Sequence, residues 1–258
     1  IEVTSERQPK LYVLAGHGER SISDADAGGM LDLAGALKRD YFALEEMVGV
    51  PDAGVPDDCD CLLIFDPRVP LAPGEVSAIE RYLDGGGRLF LCLDFEGRSG
   101  LEDLLRRRGV SPGRDIIISQ DARTLLGSPA AFLTANFGDH EITAPLQGYQ
   151  VAFNFARSVT ASGTPAARAL TLVSSSDQAF AETNLEEMRT QKTADFDEDE
   201  DSRGPIDVGV AVEDLPPGGG QATPEQAKAL GRMVIFGDAD AFSNNLLALS
   251  LLFRNLDL

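Results

Sequence analysis

The sequence predicts an α/β fold in which helices cover both faces of a mostly parallel sheet. Short, continuous apolar runs recur through the first 120 residues, and segments with apolar residues at helical spacing separate them. Strands that are apolar throughout are buried on both faces, which is typical of parallel sheets. Glycine or aspartate follows most of the runs, as expected where a strand ends in a loop. The predicted strands are residues 10–15, 41–48, 61–65, 88–93 and 115–119.

Three helices are predicted between these strands. The first has its apolar residues at helical spacing over residues 30–37. The second begins at Pro73 and stops before three consecutive glycines, Gly85 to Gly87. The third covers residues 101–108. Strands and helices that alternate in this way favour βαβ units, because parallel neighbours need a crossover connection.

The pattern changes after residue 123. Residues 124–203 are richer in Thr, Phe, Asn and Gly, and we expect an irregular, β-rich lobe inserted into a single α/β domain of residues 1–258. Nine acidic residues against Arg189 and Lys192 lie within 182–201, which predicts a flexible acidic loop, most strongly charged over 195–201. The prediction is completed by strands at 170–174, 207–212 and 233–236 and helices at 224–230 and 244–253.

The composition excludes several classes of protein. Of the 258 residues, 43% are hydrophobic, which is enough to fill a sizeable core, so the chain is not disordered as a whole. The net charge of -20 argues against binding to nucleic acid or to anionic lipid, since both depend on clustered Lys and Arg. Cys59, Cys61 and Cys92 form neither a C-x-x-C pair nor a disulfide framework.

The sequence shows no targeting signal or membrane span. The longest strongly apolar stretch, residues 246–253, is too short to cross a bilayer, and no signal-peptide pattern follows Ile1. Because the first residue is not Met, we expect the chain to be part of a longer protein, and any membrane anchor would lie outside this chain.

Polar residues follow four of the predicted buried strands. If these strands run parallel, their carboxyl ends meet at one edge of the sheet, where open α/β sheets bind ligands. We therefore expect an acidic crevice that binds a divalent cation, a sugar or an amine, with His17 as the strongest candidate because two glycines flank it. The simpler alternative for each Asp or Gly is a turn or a helix cap. The candidate ligand-binding residues are His17, Gly18, Glu19, Asp66, Asp94, Asp238 and Asp240.

No strong catalytic or cofactor motif is present in the sequence. A nucleophile elbow needs Gly-x-Cys/Ser-x-Gly at a sharp turn, whereas Cys92 lies inside a predicted strand without flanking glycines, as expected of an inert core residue. Only His17 and His140 could serve as the base of a triad. Gly85 to Gly87 precede a strand, the reverse of the order in a phosphate-binding loop. No cofactor is predicted.

Four segments occur in the order and spacing of one family. Residues 12–21 (YVLAGHGERS) contain a strand and a Gly-His-Gly-Glu turn, and residues 55–94 contain a Leu-x-x-x-Glu helix and a Tyr-Leu-x-x-Gly-Gly stop. Residues 203–213 (RGPIDVGVAVE) and 233–244 (MVIFGDADAFSN) are similar to the late strand and the close of that family. The chain resembles the soluble region of the auxiliary, substrate-binding-like protein of gliding-motility-type ABC transporters, the GldG-like family.

This resemblance implies a fold similar to class I glutamine amidotransferases, without their catalytic cysteine. It also implies an extracytoplasmic (periplasmic) domain, anchored in the membrane by segments absent from this chain. The implied partners are an ABC permease and its ATPase.

Three hypotheses about function remain open. The first is a non-catalytic binding or assembly domain of an ABC-type export or motility complex, with His17 and Glu19 as polar contacts to a partner, a small molecule or a sugar. The second is an amidotransferase- or hydrolase-like enzyme that uses the same strand ends. It needs a Ser or Cys beside His17, or a metal between Asp66, Asp94 and Asp238. The third is a homo- or heterodimer partner with an exposed apolar patch.

Overall fold

A computed structural model of the chain describes residues 7–121, 125–186, 188, 194–216, 218, 222–249 and 255. The strands are β1 (Lys10–Ala15), β2 (Ala43–Val48), β3 (Cys61–Phe65), β4 (Arg88–Cys92), β5 (Val110–Pro112), β6 (Ile116–Ser119), β7 (Ala131–Thr134), β8 (Asn136–Phe137), β9 (Val151–Asn154), β10 (Val159–Ala161), β11 (Ala167–Ser174), β12 (Ala179–Glu182), β13 (Ser202–Arg203), β14 (Asp207–Asp214) and β15 (Arg232–Phe236). The helices include α1 (Leu31–Arg39), α2 (Pro73–Asp84), α3 (Glu102–Arg107), α4 (Pro224–Lys228) and α5 (Asn244–Leu247). Short 3-10 helices cover Leu125–Gly127, Ala144–Leu146 and Asp240–Phe242.

Eight strands form the central sheet, in the order β2-β1-β3-β4-β15-β14-β11-β8. The first five strands of this order run parallel to one another, and each of the last three pairs antiparallel with its neighbour. The sheet is therefore mixed, and the predicted mostly parallel sheet is not confirmed. The sequence could not distinguish the two cases, because β14 is buried along most of its length, as parallel strands are.

The limits of the elements agree closely with the prediction in the first 120 residues. β1 and β3 cover the predicted residues, and α2 begins at Pro73 and ends immediately before Gly85. β2 begins two residues later than predicted, because Tyr41 has φ of 70°, a left-handed turn conformation. The predicted helix at 244–253 is seen as α5, while residues 250–254 lie outside the described residues. Within the described part of the chain, no helix is long and apolar enough to cross a membrane.

The two faces of the central sheet carry separate apolar cores. On one face, α2 and α3 bury residues such as Ile79, Leu83 and Leu104. On the other face, α1 packs together with strands β7 and β9, whose Phe132 and Phe153 are buried. Both faces are therefore covered, one by helices and the other by a helix and strands.

The segment predicted to form an inserted lobe contributes to the central sheet and to smaller sheets. β8 and β11 belong to the central sheet, whereas β7–β9, β10–β5 and β13–β12–β6 pair antiparallel in three small sheets. Of the predicted acidic loop, residues 187 and 189–193 lie outside the described residues. In its described part, Asp201 accepts hydrogen bonds from the backbone of Asp197 and Thr183, at 2.9 and 3.0 Å.

Candidate functional site

Four neighbouring parallel strands bring the predicted polar residues to one edge of the central sheet. These strands, β1, β3, β4 and β15, lie side by side and point the same way. Backbone hydrogen bonds connect the carboxyl ends of these strands and the loops that follow: Asp66 N donates to Cys92 O at 2.9 Å, and Arg68 N donates to His17 O at 2.8 Å. We call residues 16–20, 66–69, 94–97 and 237–240 the strand-end rim.

Arg20 lies at the centre of the strand-end rim, and its side chain is only 13% exposed. Its guanidinium forms ion pairs with Asp240 (Nη1–Oδ1, 2.5 Å) and Asp94 (Nη2–Oδ2, 3.0 Å), and its Nε lies 3.7 Å from Asp66 Oδ2. Burial lowers the pKa of Arg20, but the carboxylates, led by Asp240, outweigh this effect and hold the pKa above its ordinary value. A cation of the protein itself therefore occupies the predicted acidic crevice.

Asp66 is fully buried, close to both a positive and a negative side chain. Its backbone has φ of 55°, a conformation that Asp and Asn tolerate better than most residues. Arg68 Nη2 lies 2.6 Å from Asp66 Oδ2, but neither carboxylate oxygen accepts an aligned hydrogen bond from the described part of the chain. Burial and then the charge of Asp94 raise the pKa of Asp66 to about 7, against the opposing effect of Arg68 and Arg20. This carboxyl group therefore titrates near neutral pH.

Asp94 connects the arginines of the strand-end rim. Its Oδ2 lies 3.0 Å from Arg20 Nη2 and 3.4 Å from Arg68 Nη2, and its carbonyl oxygen accepts a hydrogen bond from Arg157 Nη1 at 3.2 Å. Burial raises the pKa of Asp94, and Arg20 opposes the shift. Arg157 is itself buried, which lowers the pKa of its guanidinium, and it also donates to Gly97 O at 3.3 Å. Arg157 therefore fixes the backbone of the loop after β4.

Asp238 and Asp240 differ in their surroundings. Asp238 is fully buried, and its two carboxylate oxygens accept hydrogen bonds from Asp240 N at 2.6 Å and Asn154 N at 2.7 Å. Burial, followed by the charge of Asp240, raises the pKa of Asp238 well above its ordinary value. The side chain of Asp240 is 25% exposed and accepts a hydrogen bond from Asn154 Nδ2 at 2.6 Å. Asp238 thus fixes the turn after β15, and Asp240 is the more accessible of the two.

His17 and Glu19 form a second cluster beside the arginines and aspartates. His17 Nδ1 lies 3.1 Å from Glu19 Oε1, and His17 Nε2 lies 2.9 Å from Glu75 Oε2. Carboxylate oxygens only accept hydrogen bonds, so both contacts are hydrogen bonds only when both ring nitrogens carry a proton. Glu75 Oε1 also accepts a hydrogen bond from Val50 N at 2.9 Å. His17 therefore lies between two carboxylates, one from the loop after β1 and one from α2.

Gly18 allows the two clusters to approach each other. It has φ of 79°, which glycine adopts readily, and a Cβ at this position would lie 3.1 Å from Arg68 Cβ. The Gly-His-Gly turn is thus required by the close approach of the loop after β3.

The described residues place no catalytic partner beside His17. No serine or cysteine side chain among them forms a hydrogen bond with His17, and Cys92 is buried in the core, where burial raises the pKa of its thiol well above the ordinary value. His140 lies in the segment after β8, and its Nδ1 accepts a hydrogen bond from Ile142 N at 3.1 Å. Among the described residues, no three His, Cys, Asp or Glu side chains are arranged to hold a metal ion.

Four residues of the strand-end rim and its clusters were missed by the sequence analysis: Arg20, Arg68, Glu75 and Arg157. Glu75 had a readable signal, because an acidic third residue of a predicted helix accepts hydrogen bonds from the helix start, as it does here from Ala72 N at 2.8 Å. Arg20 directly follows Glu19 in the turn, but no local pattern shows that its side chain is directed inward. Nothing around Arg157 marks it in the sequence.

Three solved structures of low sequence identity align with the chain, and one of them shares its fold. The N-terminal domain of mmIFT52 aligns with a TM-score of 0.69 at 13% identity, over 96% of this chain and 92% of that one. A putative ThuA-like protein from Bacteroides uniformis has a TM-score of 0.45 at 13% identity, covering 96% and 91%. A cold-adapted β-galactosidase from Rahnella sp. R3 has a TM-score of 0.44 at 11% identity, covering 93% and 31%. At this identity the likeness to the mmIFT52 domain shows the fold alone.

The sequence comparison identifies one family. No curated protein sequence matches the chain. A family model described as "ABC-type uncharacterized transport system" matches residues 8–256, which include both clusters and the middle segment that resembles the GldG-like pattern least. The chain therefore belongs to this family of auxiliary components of ABC-type transport systems.

Proposed function

We propose that the chain is a non-catalytic binding or assembly domain of an ABC-type transport complex, and that it contacts a protein partner through the strand-end rim around His17. Membership of the family supports the transport context. The partner itself is inferred from the chemistry of the surface around His17.

The observation that carries this proposal is a pair of exposed apolar side chains beside His17. Val48 and Val69 are 78% and 57% exposed, more than any other large hydrophobic residue in the described part of the chain. Val69 N donates a hydrogen bond to His17 O at 2.9 Å, and Val48 pairs in register with Ala15, two residues before His17. Apolar residues surrounded by charged groups are typical of protein contact surfaces.

The hydrogen bonds of the rim also favour binding over catalysis. A general base needs a free lone pair directed at its substrate, whereas both ring nitrogens of His17 contact carboxylates. The carboxyl groups of Asp94 and Asp240 are engaged by Arg20. These groups are therefore arranged to present a fixed, ion-paired surface.

The location of the domain and the identity of its partners are inferred from the resemblance to the GldG-like family. Under this proposal the domain lies outside the cytoplasm, is anchored in the membrane by segments absent from this chain, and assembles with the permease and ATPase of a gliding-motility-type transporter. A fold of the class I glutamine amidotransferase type is part of the same proposal.

Capture of the permease by this chain tests the proposal. We expect the double variant Val48→Ser, Val69→Ser to lose at least about tenfold in affinity, because burying one exposed valine side chain is favourable by about 1.5 kcal/mol, and about 1.4 kcal/mol corresponds to tenfold. Tyr41→Ser is the matched control: Tyr41 is 52% exposed and precedes β2, at the opposite end of the strand from Val48. Equal capture by the double variant and the parent would show that the rim is not the contact surface.

A further inference from the structure

A second candidate site lies on the central sheet, away from the strand-end rim. It is a half-open cavity of about 670 Å³ between one sheet face and residues 139–144. It lies at the amino-terminal ends of β4 and β15, which begin at Arg88 and Arg232, whereas the rim follows their carboxyl ends. A volume of this size matches the pockets that hold small organic ligands.

The floor of the cavity is an apolar row that crosses four strands. The strand registers place Leu170 opposite Ala211, Ala211 opposite Val234, and Val234 opposite Phe90. All four residues line the cavity. Phe90, Val234 and Leu170 remain partly exposed on the sheet face that elsewhere is covered by α1 and the lobe. This part of the face therefore offers apolar surface that the described residues leave uncovered.

A row of charged residues lies two positions along the same strands and on the same face. Its members pair in register as Arg168, Glu213, Arg232 and Arg88, so the row carries three positive charges and one negative charge. Glu213 forms an ion pair with Arg232 at 3.1 Å, which leaves Arg88 and Arg168 without an ion pair in the described part of the chain.

Arg88 and Arg232 carry like charges at neighbouring positions of the sheet. The two arginines lie opposite each other in the parallel β4–β15 pair, and like charges at such positions destabilise a sheet. The chain has only 22 basic residues against 42 acidic ones, yet three arginines line this one cavity. An anion bound between them would relieve the repulsion and satisfy their donors.

The roof of the cavity adds one more donor. Because His140 Nδ1 accepts the hydrogen bond from Ile142 N, the proton of its neutral form lies on Nε2. Asp139 and Glu141 on either side of His140 are exposed and form no ion pair with the arginine row in the described residues.

We propose that this cavity binds a small amphipathic anion, with an alkyl or aromatic body on the apolar row and a carboxylate held by the neighbouring Arg88 and Arg232. The size of the cavity, the uncovered apolar floor and the two facing arginines beside it each support this ligand class. The cavity is separate from the strand-end rim, so this proposal does not depend on the proposed partner contact.

Calorimetric titration with decanoate, below its micelle concentration, tests the proposal. We expect saturable binding with one site per chain and a Kd below about 1 mM, while acetate and decyltrimethylammonium do not bind. Acetate lacks the apolar body, and the ammonium compound reverses the charge. The absence of saturable decanoate binding, or equal binding of the ammonium compound, would overturn the proposal.

Two variants and a control locate the site. Arg88→Gln should weaken decanoate binding by about 5- to 10-fold, as expected when a charged donor is lost, and Ala211→Leu should weaken it by filling the floor. Arg106→Gln removes the same charge from the exposed surface of α3 and should leave binding unchanged. If Arg106→Gln and Arg88→Gln weaken binding equally, decanoate responds only to net charge and the assignment is wrong. Thermal unfolding of each variant confirms that it is folded.

Discussion

At the scale of single residues, Asp66 carries a carboxyl group whose pKa lies near neutral pH. In the folded protein burial raises its pKa to about 7, whereas the ordinary value is 3.8. Between these two values the folded protein holds a proton that the unfolded chain has released. The free energy of unfolding therefore falls as pH rises through this window, and the loss is complete above about pH 7.

Asp66→Asn tests whether ionisation of Asp66 destabilises the folded protein. Asn keeps the shape of the side chain and tolerates the φ of 55°, but it cannot ionise. We expect the variant to be more stable than the parent by on the order of 2 kcal/mol at pH 8 and nearly equal at pH 4, as measured by urea unfolding.

The matched control for this exchange is Asp103→Asn, because the side chain of Asp103 is 80% exposed. Its effect on the free energy of unfolding should stay within about 0.5 kcal/mol at both pH values. If Asp66→Asn is instead less stable than the parent at pH 8, the ion pair with Arg68 outweighs the unfavourable burial.

The residues of the rim differ in how far the sequence could predict them. Asp66, Asp94 and Asp238 follow apolar strands within two residues, so strand direction alone predicts that they meet. Arg20 instead pairs with carboxylates 74 and 220 positions away in the chain. Such long-range pairs are determined by the packing of loops, which no local spacing records. The acidic crevice was therefore predicted without the cation that occupies it.

At the scale of elements, the length of each strand decided what could be predicted. β1, β3 and β4 have five or six residues and are apolar enough to be recognised from their sequence. β8 and β13 have two residues each, and β5 and β10 have three, too few to show the alternation of a half-buried strand. For this reason none of these four short strands was predicted individually.

Gly209 in β14 provides a test of packing between two strands. A Cβ at this position would lie 2.5 Å from Cε1 of Phe236, which is fully buried and packs edge-on against Phe242 with ring centroids 5.3 Å apart. The ring has little room to move, so we expect Gly209→Ala to lower the free energy of unfolding by about 1–3 kcal/mol in urea titrations.

Gly74→Ala is the matched control for Gly209→Ala. Gly74 lies in the first turn of α2, and a Cβ there meets no atom within 4 Å. Alanine is the better helix former and restricts the unfolded chain, so this variant should be neutral or up to about 1 kcal/mol more stable. Equal destabilisation by the two substitutions would mean that backbone freedom, and not the contact with Phe236, makes glycine necessary in β14.

At the scale of the whole molecule, the net charge of -20 is unevenly distributed. In the strand-end rim, Asp66, Asp94 and Asp240 form ion pairs with Arg20 or Arg68, and the arginine row lies at the opposite ends of the strands. The acidic run is different, because residues 197–200 are all exposed acids. The excess negative charge therefore repels itself mainly across the surface, where salt screens it effectively.

This distribution predicts that salt stabilises the fold. The Debye length falls from about 30 Å at 0.01 M to about 10 Å at 0.1 M, so repulsion between surface carboxylates weakens while the buried pairs of Arg20 are screened much less. We expect the Tm in a calorimetric scan at pH 8 to rise by roughly 2–5 °C between 10 and 500 mM NaCl. A fall in Tm would mean that exposed ion pairs contribute more to stability than the excess charge removes.

A variant of the acidic run determines where the salt response originates. It carries Asp197→Asn, Glu198→Gln, Asp199→Asn and Glu200→Gln, which changes the net charge from -20 to -16. Asn keeps an acceptor oxygen for the local hydrogen bond between Asp199 N and the side chain of Asp197. If repulsion is concentrated in this segment, the variant has a higher Tm at 10 mM NaCl and a smaller rise with salt. An unchanged rise would place the repulsion on the remaining surface, where 16 excess negative charges are left.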